Sequence, residues 1–166
     1  MKRLRGLCAM AMMGVVLVVS KEALAALPNF EAVSLLTVLF TLSFGKWVLG
    51  ALGVFLLLEG LLYGFHLWWV TYLYIWSLWA LAVLLIGGRK ERGTMVWAVA
   101  SGAFGLSFGA LDALPYLAGG PMAALSRWVS GIPFDVLHCI GNFFLALALE
   151  RPLCQLLRQA RERTRG

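Results

Sequence analysis

Six long apolar runs, separated by short turn-like segments, dominate this sequence. They cover approximately residues 7–27, 30–44, 47–65, 67–86, 94–111 and 133–149. About 20 apolar residues in a helix suffice to cross the hydrocarbon core of a bilayer. With 61% hydrophobic and 13% charged residues, the chain is also too apolar for a soluble domain. The sequence therefore predicts one all-α membrane domain over residues 1–166, a bundle of six transmembrane helices embedded in a lipid bilayer.

The basic residues predict the orientation of this bundle. They cluster at the N-terminus, at Lys46, in the 89–92 loop and from Arg151 onward. These segments all fall on one side of a six-span bundle, and positive charge favours the cytoplasmic side. Both termini are therefore predicted to be cytoplasmic. The opposite, outer side keeps two basic residues against five acidic ones.

Other functional classes fit this pattern less well. Short basic clusters beside spans are topology signals, and the chain offers no folded polar surface for nucleic acid. The three cysteines are widely spaced and imply neither a disulfide nor a zinc framework. One alternative stays open at the N-terminus, where the basic start, the apolar run and Ala23-Leu24-Ala25 resemble a cleavable signal peptide.

The connection over residues 115–131 is the only long one. It contains Gly119-Gly120-Pro121 and then an apolar stretch. We expect a short interfacial or re-entrant helix here, on the outer face, since such backbone is tolerated at membrane depth only when protein buries it. Arg127 and Trp128 would belong to a lid over the bundle. Pro133 is then expected as the first residue of the last span.

Two polar stripes are predicted at the outer end, where ionisable groups are costly in lipid and need a partner or a function. On the third helix the stripe is Glu59, Tyr63 and His66, at i, i+4, i+7 spacing. On the sixth helix it is Asp135, His138 and Asn142. Structural roles are also available for this second stripe: Asp135 would suit a helix N-terminus, and His138 and Asn142 would suit interhelical hydrogen bonds.

Two further helix faces complete the predicted site. The fourth helix carries an aromatic stripe that continues deeper than an interfacial belt; its members are Trp68, Trp69, Tyr72, Trp76 and Trp79. It predicts either a wall for a planar ligand or simple packing. The fifth helix repeats small residues at Ser101, Gly105 and Gly109 and is expected to pack closely on a neighbour, holding Asp112 against it.

Together these groups favour a small-molecule site in the outer half, since such sites are mostly apolar with a few convergent polar groups. The excess of acids there favours a cationic or hydrogen-bonding aromatic ligand. An intramembrane enzyme that uses Asp135 and His138 is the alternative. The sequence contains none of the common metalloprotease or serine-hydrolase motifs, and we expect no catalytic residue, metal or cofactor.

The last span opens with Trp128-Val129-Ser130-Gly131-Ile132-Pro133-Phe134-Asp135, followed by His138, Gly141 and Asn142. With six basic-flanked spans and a Gly- and Pro-rich outer connection, the chain resembles the substrate-binding S components of energy-coupling factor (ECF) transporters. The resemblance covers nearly the whole chain in layout, and its specific part is this last segment.

The resemblance implies a multi-pass protein of a bacterial plasma membrane that binds a vitamin or similar micronutrient, possibly ring-containing. Its partners would be a transmembrane scaffold subunit and two cytoplasmic ATPases. A rod-shape morphogenesis protein is thought to share this fold without transport, so a membrane scaffold is a further alternative. The expected ligand contacts are Glu59, Tyr63, His66, Trp69, Tyr72, Trp76, Asp112, Arg127, Trp128, Asp135, His138 and Asn142.

Overall fold

The computed structural model describes residues 2–26, 30–88 and 92–163. For residues 2, 3, 5 and 160–163 it describes the backbone alone. Within these ranges the chain is all-helical and contains no strand. The predicted Pro28-Asn29 turn and the basic residues Arg89 and Lys90 lie outside the described residues. The elements are α1 Lys2–Ala23, α2 Val33–Phe44, α3 Trp47–Tyr63, α4 Leu67–Gly87, α5 Thr94–Asp112, a 3-10 helix Leu114–Gly119 and α6 Pro121–Arg163.

The six α-helices confirm the helical part of the prediction. Four of them, α1, α4, α5 and α6, are long and apolar enough to cross a membrane. The other two, α2 and α3, are apolar but shorter, at 12 and 17 residues. At 1.5 Å per residue, α2 extends for only about 18 Å.

Glycines end three of the helices at the predicted turns. Gly45, Gly64 and Gly88 follow α2, α3 and α4 directly, with φ angles of +59°, +86° and +46°. Residues with a Cβ atom rarely adopt such angles, whereas glycine does so without penalty. Each of the three also donates its N–H to a carbonyl in the last turn of the helix before it. The chain reverses direction at these points.

The structure corrects the prediction for residues 115–149. The expected short helix and the last span form one continuous helix of 43 residues, α6, and Pro133 lies inside it. Pro121 starts this helix, directly after Gly120 with its φ of +100°. Proline suits a first helical position, and glycine suits the sharp turn before it. Near 65 Å in length, α6 is about twice as long as a bilayer core is thick.

The predicted close contact of the fifth helix is confirmed. α5 packs antiparallel on α6, and a Cβ atom added to Gly105 would lie 2.7 Å from the backbone oxygen of His138. At Gly109 an added Cβ would lie within 3 Å of the Asp135 carboxylate. Ser101 is fully buried. Small residues are therefore needed along this face, because the two helix backbones approach each other closely.

A second close helix pair joins α1 to α3, which run parallel. A Cβ atom on Gly14 would lie 2.6 Å from the Cβ of Val54, and one on Gly50 would lie 2.3 Å from the sulfur of Met10. This register brings the C-terminal ends of α1 and α3 together. Because the helices alternate in direction, those ends share one end of the bundle with the starts of α2 and α4, the end of α5 and the first half of α6.

Candidate functional site

A cavity of about 610 Å³ lies at this end of the bundle, which we call the cavity end. All six helices or their adjoining segments contribute to its lining, from Lys21 near the end of α1 to His138 in α6. The opposite end carries Lys46, Arg92 and Arg151, and we call it the basic end. The cavity volume falls within the range of about 300–1,000 Å³ that is usual for small-molecule sites.

Aromatic rings form one side of the cavity. Tyr72 and Trp76 of α4 and Phe108 of α5 meet edge to face, with ring centroids 5.7–6.1 Å apart. Trp68 lines the cavity beside them. Three members of the predicted aromatic stripe, Trp68, Tyr72 and Trp76, are thus brought together, and Phe108 completes the wall from another helix.

Two other members of that stripe face elsewhere. The indole N–H of Trp69 donates to the Leu56 carbonyl at 2.8 Å, and its ring packs against Phe65, so it does not line the cavity. Trp79 lies deeper, where its ring stacks on Phe104 at 4.6 Å and its N–H donates to the Ser34 carbonyl. These two tryptophans secure α4 to the bundle.

His138 and Glu31 form the polar side of the cavity. His138 Nε2 lies 3.1 Å from Glu31 Oε1, and the imidazole packs edge-on against Phe108. Glu31 also accepts hydrogen bonds from the backbone N–H and the hydroxyl of Ser34 at the start of α2. The carboxylate therefore joins the first turn of α2 to the middle of α6.

Asp135 and Asn142 lie on the same face of α6 as His138, and all three are buried. Asp135 Oδ1 accepts from the backbone N–H of Gly109 at 2.9 Å, and Asp135 lines the cavity. The suggested role of Asp135 at a helix N-terminus is wrong, because α6 begins 14 residues earlier, at Pro121. Asn142 lies below the cavity and donates to the Ser34 hydroxyl at 3.0 Å, which confirms an interhelical hydrogen bond.

Arg127 bridges the first turns of α6 to the end of α5. Its guanidinium donates twice to Asp112 Oδ2, at 2.7 and 3.0 Å, and lies 5.5 Å from the ring centre of Tyr116. Asp112 also accepts from the Thr71 hydroxyl at 3.1 Å. The expectation that Asp112 is held against a neighbour is confirmed. Trp128 faces away from the main cavity, into a small apolar crevice between the 3-10 helix and α6.

Lys21 and Glu59 form an ion pair at the edge of the cavity, with Nζ and Oε2 2.5 Å apart. Glu59 is completely buried and lines a smaller adjoining recess of about 270 Å³. The hydroxyl of Tyr63 donates to Glu22 at 2.5 Å, and the ring of Tyr63 lies under the Lys21 ammonium. These contacts between charged and polar side chains hold the C-terminal ends of α1 and α3 together.

The predicted stripe on the third helix is wrong for His66. α3 ends at Tyr63, and His66 lies beyond the turn, directly before α4. Its ring is exposed and folds back over Gly64, outside the cavity lining. Helical spacing does not extend across a glycine with a φ of +86°.

Sequence reasoning did not select several lining residues, chiefly Lys21, Glu22, Glu31 and Phe108. The adjacent pair Lys21-Glu22 was a usable signal, since two charges at the end of an apolar run need partners. Among the described residues no group of three His, Cys, Asp or Glu side chains is arranged to hold a metal ion. His138 and Asp135 make separate contacts, with Glu31 and with Gly109.

No protein-family model matches the sequence, and neither the curated proteins nor the solved structures give a significant match. The fold and the site together define an all-helical protein with several helices of membrane-spanning length and a ligand-sized cavity at one end of the bundle.

Proposed function

We propose that this protein is a membrane-embedded substrate-binding subunit of the ECF S-component type, which captures a vitamin-like or other small micronutrient. The ligand would occupy the cavity, and an ATPase-driven module of one scaffold subunit and two cytoplasmic ATPases would drive its delivery. The single observation that carries the proposal is the cavity of about 610 Å³, lined on one side by aromatic rings and on the other by polar side chains.

The position of the cavity supports uptake from outside. Lys46, Arg92 and Arg151 lie at the basic end, which the positive-inside tendency assigns to the cytoplasm. The cavity end then faces the exterior of a bacterial plasma membrane. With six spans, the protein would take up its ligand from the outside, while the basic end meets the cytoplasmic partners.

Mass spectrometry of the protein purified from its native membrane tests ligand capture. We expect a small molecule to be retained by the native protein and lost from Tyr72→Leu, which opens the aromatic wall. Trp128→Leu is the matched control, because Trp128 faces outside the main cavity. Equal retention by both variants would contradict binding in this cavity.

Co-purification and uptake test the transport step separately. We expect two ATPases and a transmembrane partner to co-purify with the protein, and deletion of its gene to abolish uptake of the retained molecule. Absence of any ATPase together with unchanged uptake would overturn the transport proposal and favour a scaffold role.

A further inference from the structure

We infer that the ligand of the cavity is an organic cation, a protonated amine or nitrogen heterocycle attached to a ring. The inference rests on the proposed function in taking the cavity as a binding site, and it adds the charge and class of what binds there. Three features of the lining carry it: the balance of charges, two buried polar atoms without partners, and the aromatic wall.

Acidic side chains outnumber basic ones in the lining. Glu22, Glu31, Asp112 and Asp135 line the cavity, against Lys21 and Arg127. Both cations already have carboxylate partners, Glu59 for Lys21 and Asp112 for Arg127. An anionic ligand would therefore meet cations whose charge is already balanced by a carboxylate.

Two carboxylates remain without a lysine or arginine partner among the described residues. Glu31 is held by Ser34 and by His138, and Asp135 by the backbone N–H of Gly109. Asp135 lies one helical turn before His138 on the same face of α6, so the two carboxylates flank the imidazole. Even a protonated His138 would balance only one of them. A buried carboxylate without a counter-charge is costly, and a bound cation would offset that cost.

Unpartnered polar atoms point to the same place. Asp135 Oδ2 and the indole Nε1 of Trp76 are buried and make no hydrogen bond with any described residue. Asp135 is 5% exposed and Trp76 2%, and both residues line the cavity. Buried polar atoms are normally paired, and each exception requires an explanation. A ligand with an N–H group for Asp135 and an acceptor atom for Trp76 would satisfy both.

The aromatic wall suits a cation with a ring. Tyr72, Trp76 and Phe108 line the cavity and meet one another edge to face. A cation near an aromatic face is attracted by the negative charge of that face, and more strongly when water is excluded. The wall would hold the ring of the ligand, while Glu31 and Asp135 hold its nitrogen.

Three compounds of similar shape and different charge test the inference: 2-phenylethylamine, 2-phenylethanol and phenylacetate. Binding to the full-length protein in lipid nanodiscs is measured by calorimetry, with empty nanodiscs as the blank. We expect the amine to bind at least about tenfold more tightly than the carboxylate, because it gains a charge-assisted hydrogen bond. Asp135→Asn should weaken amine binding by a similar factor and leave alcohol binding unchanged.

Glu150→Gln is the matched control, since Glu150 is buried at the basic end of the same helix and bonds to Thr94. It should leave the affinity for all three compounds unchanged. Equal binding of the three compounds, or a preference for phenylacetate, would overturn the cationic ligand and leave ligand capture intact. If the amine does not bind at all, the inference of a cationic ligand is also overturned. If, in addition, the protein retains no molecule from native membrane, the proposed function is overturned as well.

Discussion

Glu59 is a carboxylate with no solvent exposure, and its Oε2 is held by the Lys21 ammonium. Its other oxygen, Oε1, has no hydrogen-bond partner among the described residues. The ion pair therefore offsets most of the free-energy cost of burying the Glu59 carboxylate. Removing one member of such a pair is far more costly than removing both, because the remaining charge stays buried.

Lys21→Met should lower the free energy of unfolding by about 3 kcal/mol, the usual cost of leaving a buried charge unpaired. Adding Glu59→Gln should recover most of this loss, since the charge is then gone. Thermal unfolding of the purified protein in detergent measures both effects. If Lys21→Met unfolds at the temperature of the native protein, the ion pair does not stabilise the fold.

Ser34 links three polar residues of the bundle. Its hydroxyl donates to Glu31 and accepts from Asn142, while Glu31 in turn meets His138. Ser34→Ala should lower the free energy of unfolding by about 1–2 kcal/mol, because a buried amide loses its partner. Ser107→Ala is the control, because its hydroxyl bonds to a carbonyl within its own helix and lies nearer the surface. Equal effects in thermal unfolding would contradict the linking role.

Among the elements, the α5–α6 pair has little tolerance for added volume. Gly105→Ala would place a methyl group against the backbone of α6, which cannot shift as a flexible side chain can. The helices must separate, at a cost of about 1–3 kcal/mol.

In contrast, Gly53→Ala in α3 meets nothing within 4 Å. Because alanine favours a helix over glycine, Gly53→Ala should be neutral or stabilising by up to about 1 kcal/mol. The unfolding temperature should thus fall for Gly105→Ala and stay unchanged or rise for Gly53→Ala, and similar destabilisation of both would contradict this packing.

The helices themselves could be predicted from the sequence because most of the apolar runs end at a glycine or a charged residue. The extent of α6 could not, since proline favours the first turn of a helix, whereas Pro133 lies inside one. Whether a side chain faces the cavity could not be predicted either, because this depends on residues of other helices. Trp69 and Tyr72 are three residues apart on α4, yet a carbonyl of α3 turns Trp69 away from the cavity. The pairing of Lys21 with Glu59 spans 38 residues and leaves no local pattern.

At the scale of the whole molecule, the basic end, with Lys46, Arg92 and Arg151, lies opposite the cavity end of the bundle. This arrangement predicts the topology of the protein in the membrane. In a variant with Cys8, Cys139 and Cys154 replaced by alanine, S126C should react with a membrane-impermeant maleimide in intact cells. Q155C, on the same helix at the basic end, should react only after lysis. Both positions are exposed, so labelling reports the side of the membrane. The reverse pattern would place the cavity in the cytoplasm and contradict uptake from outside.

The length of α6 joins the two ends of the bundle through a single helix. Arg127, Asp135 and His138 at the cavity and Arg151 at the basic end all belong to the same helix. A rod of about 65 Å that tilts by 10° around its centre moves each tip by about 6 Å, in opposite directions. Any tilt of α6 at the cavity would therefore also displace the basic end of the bundle.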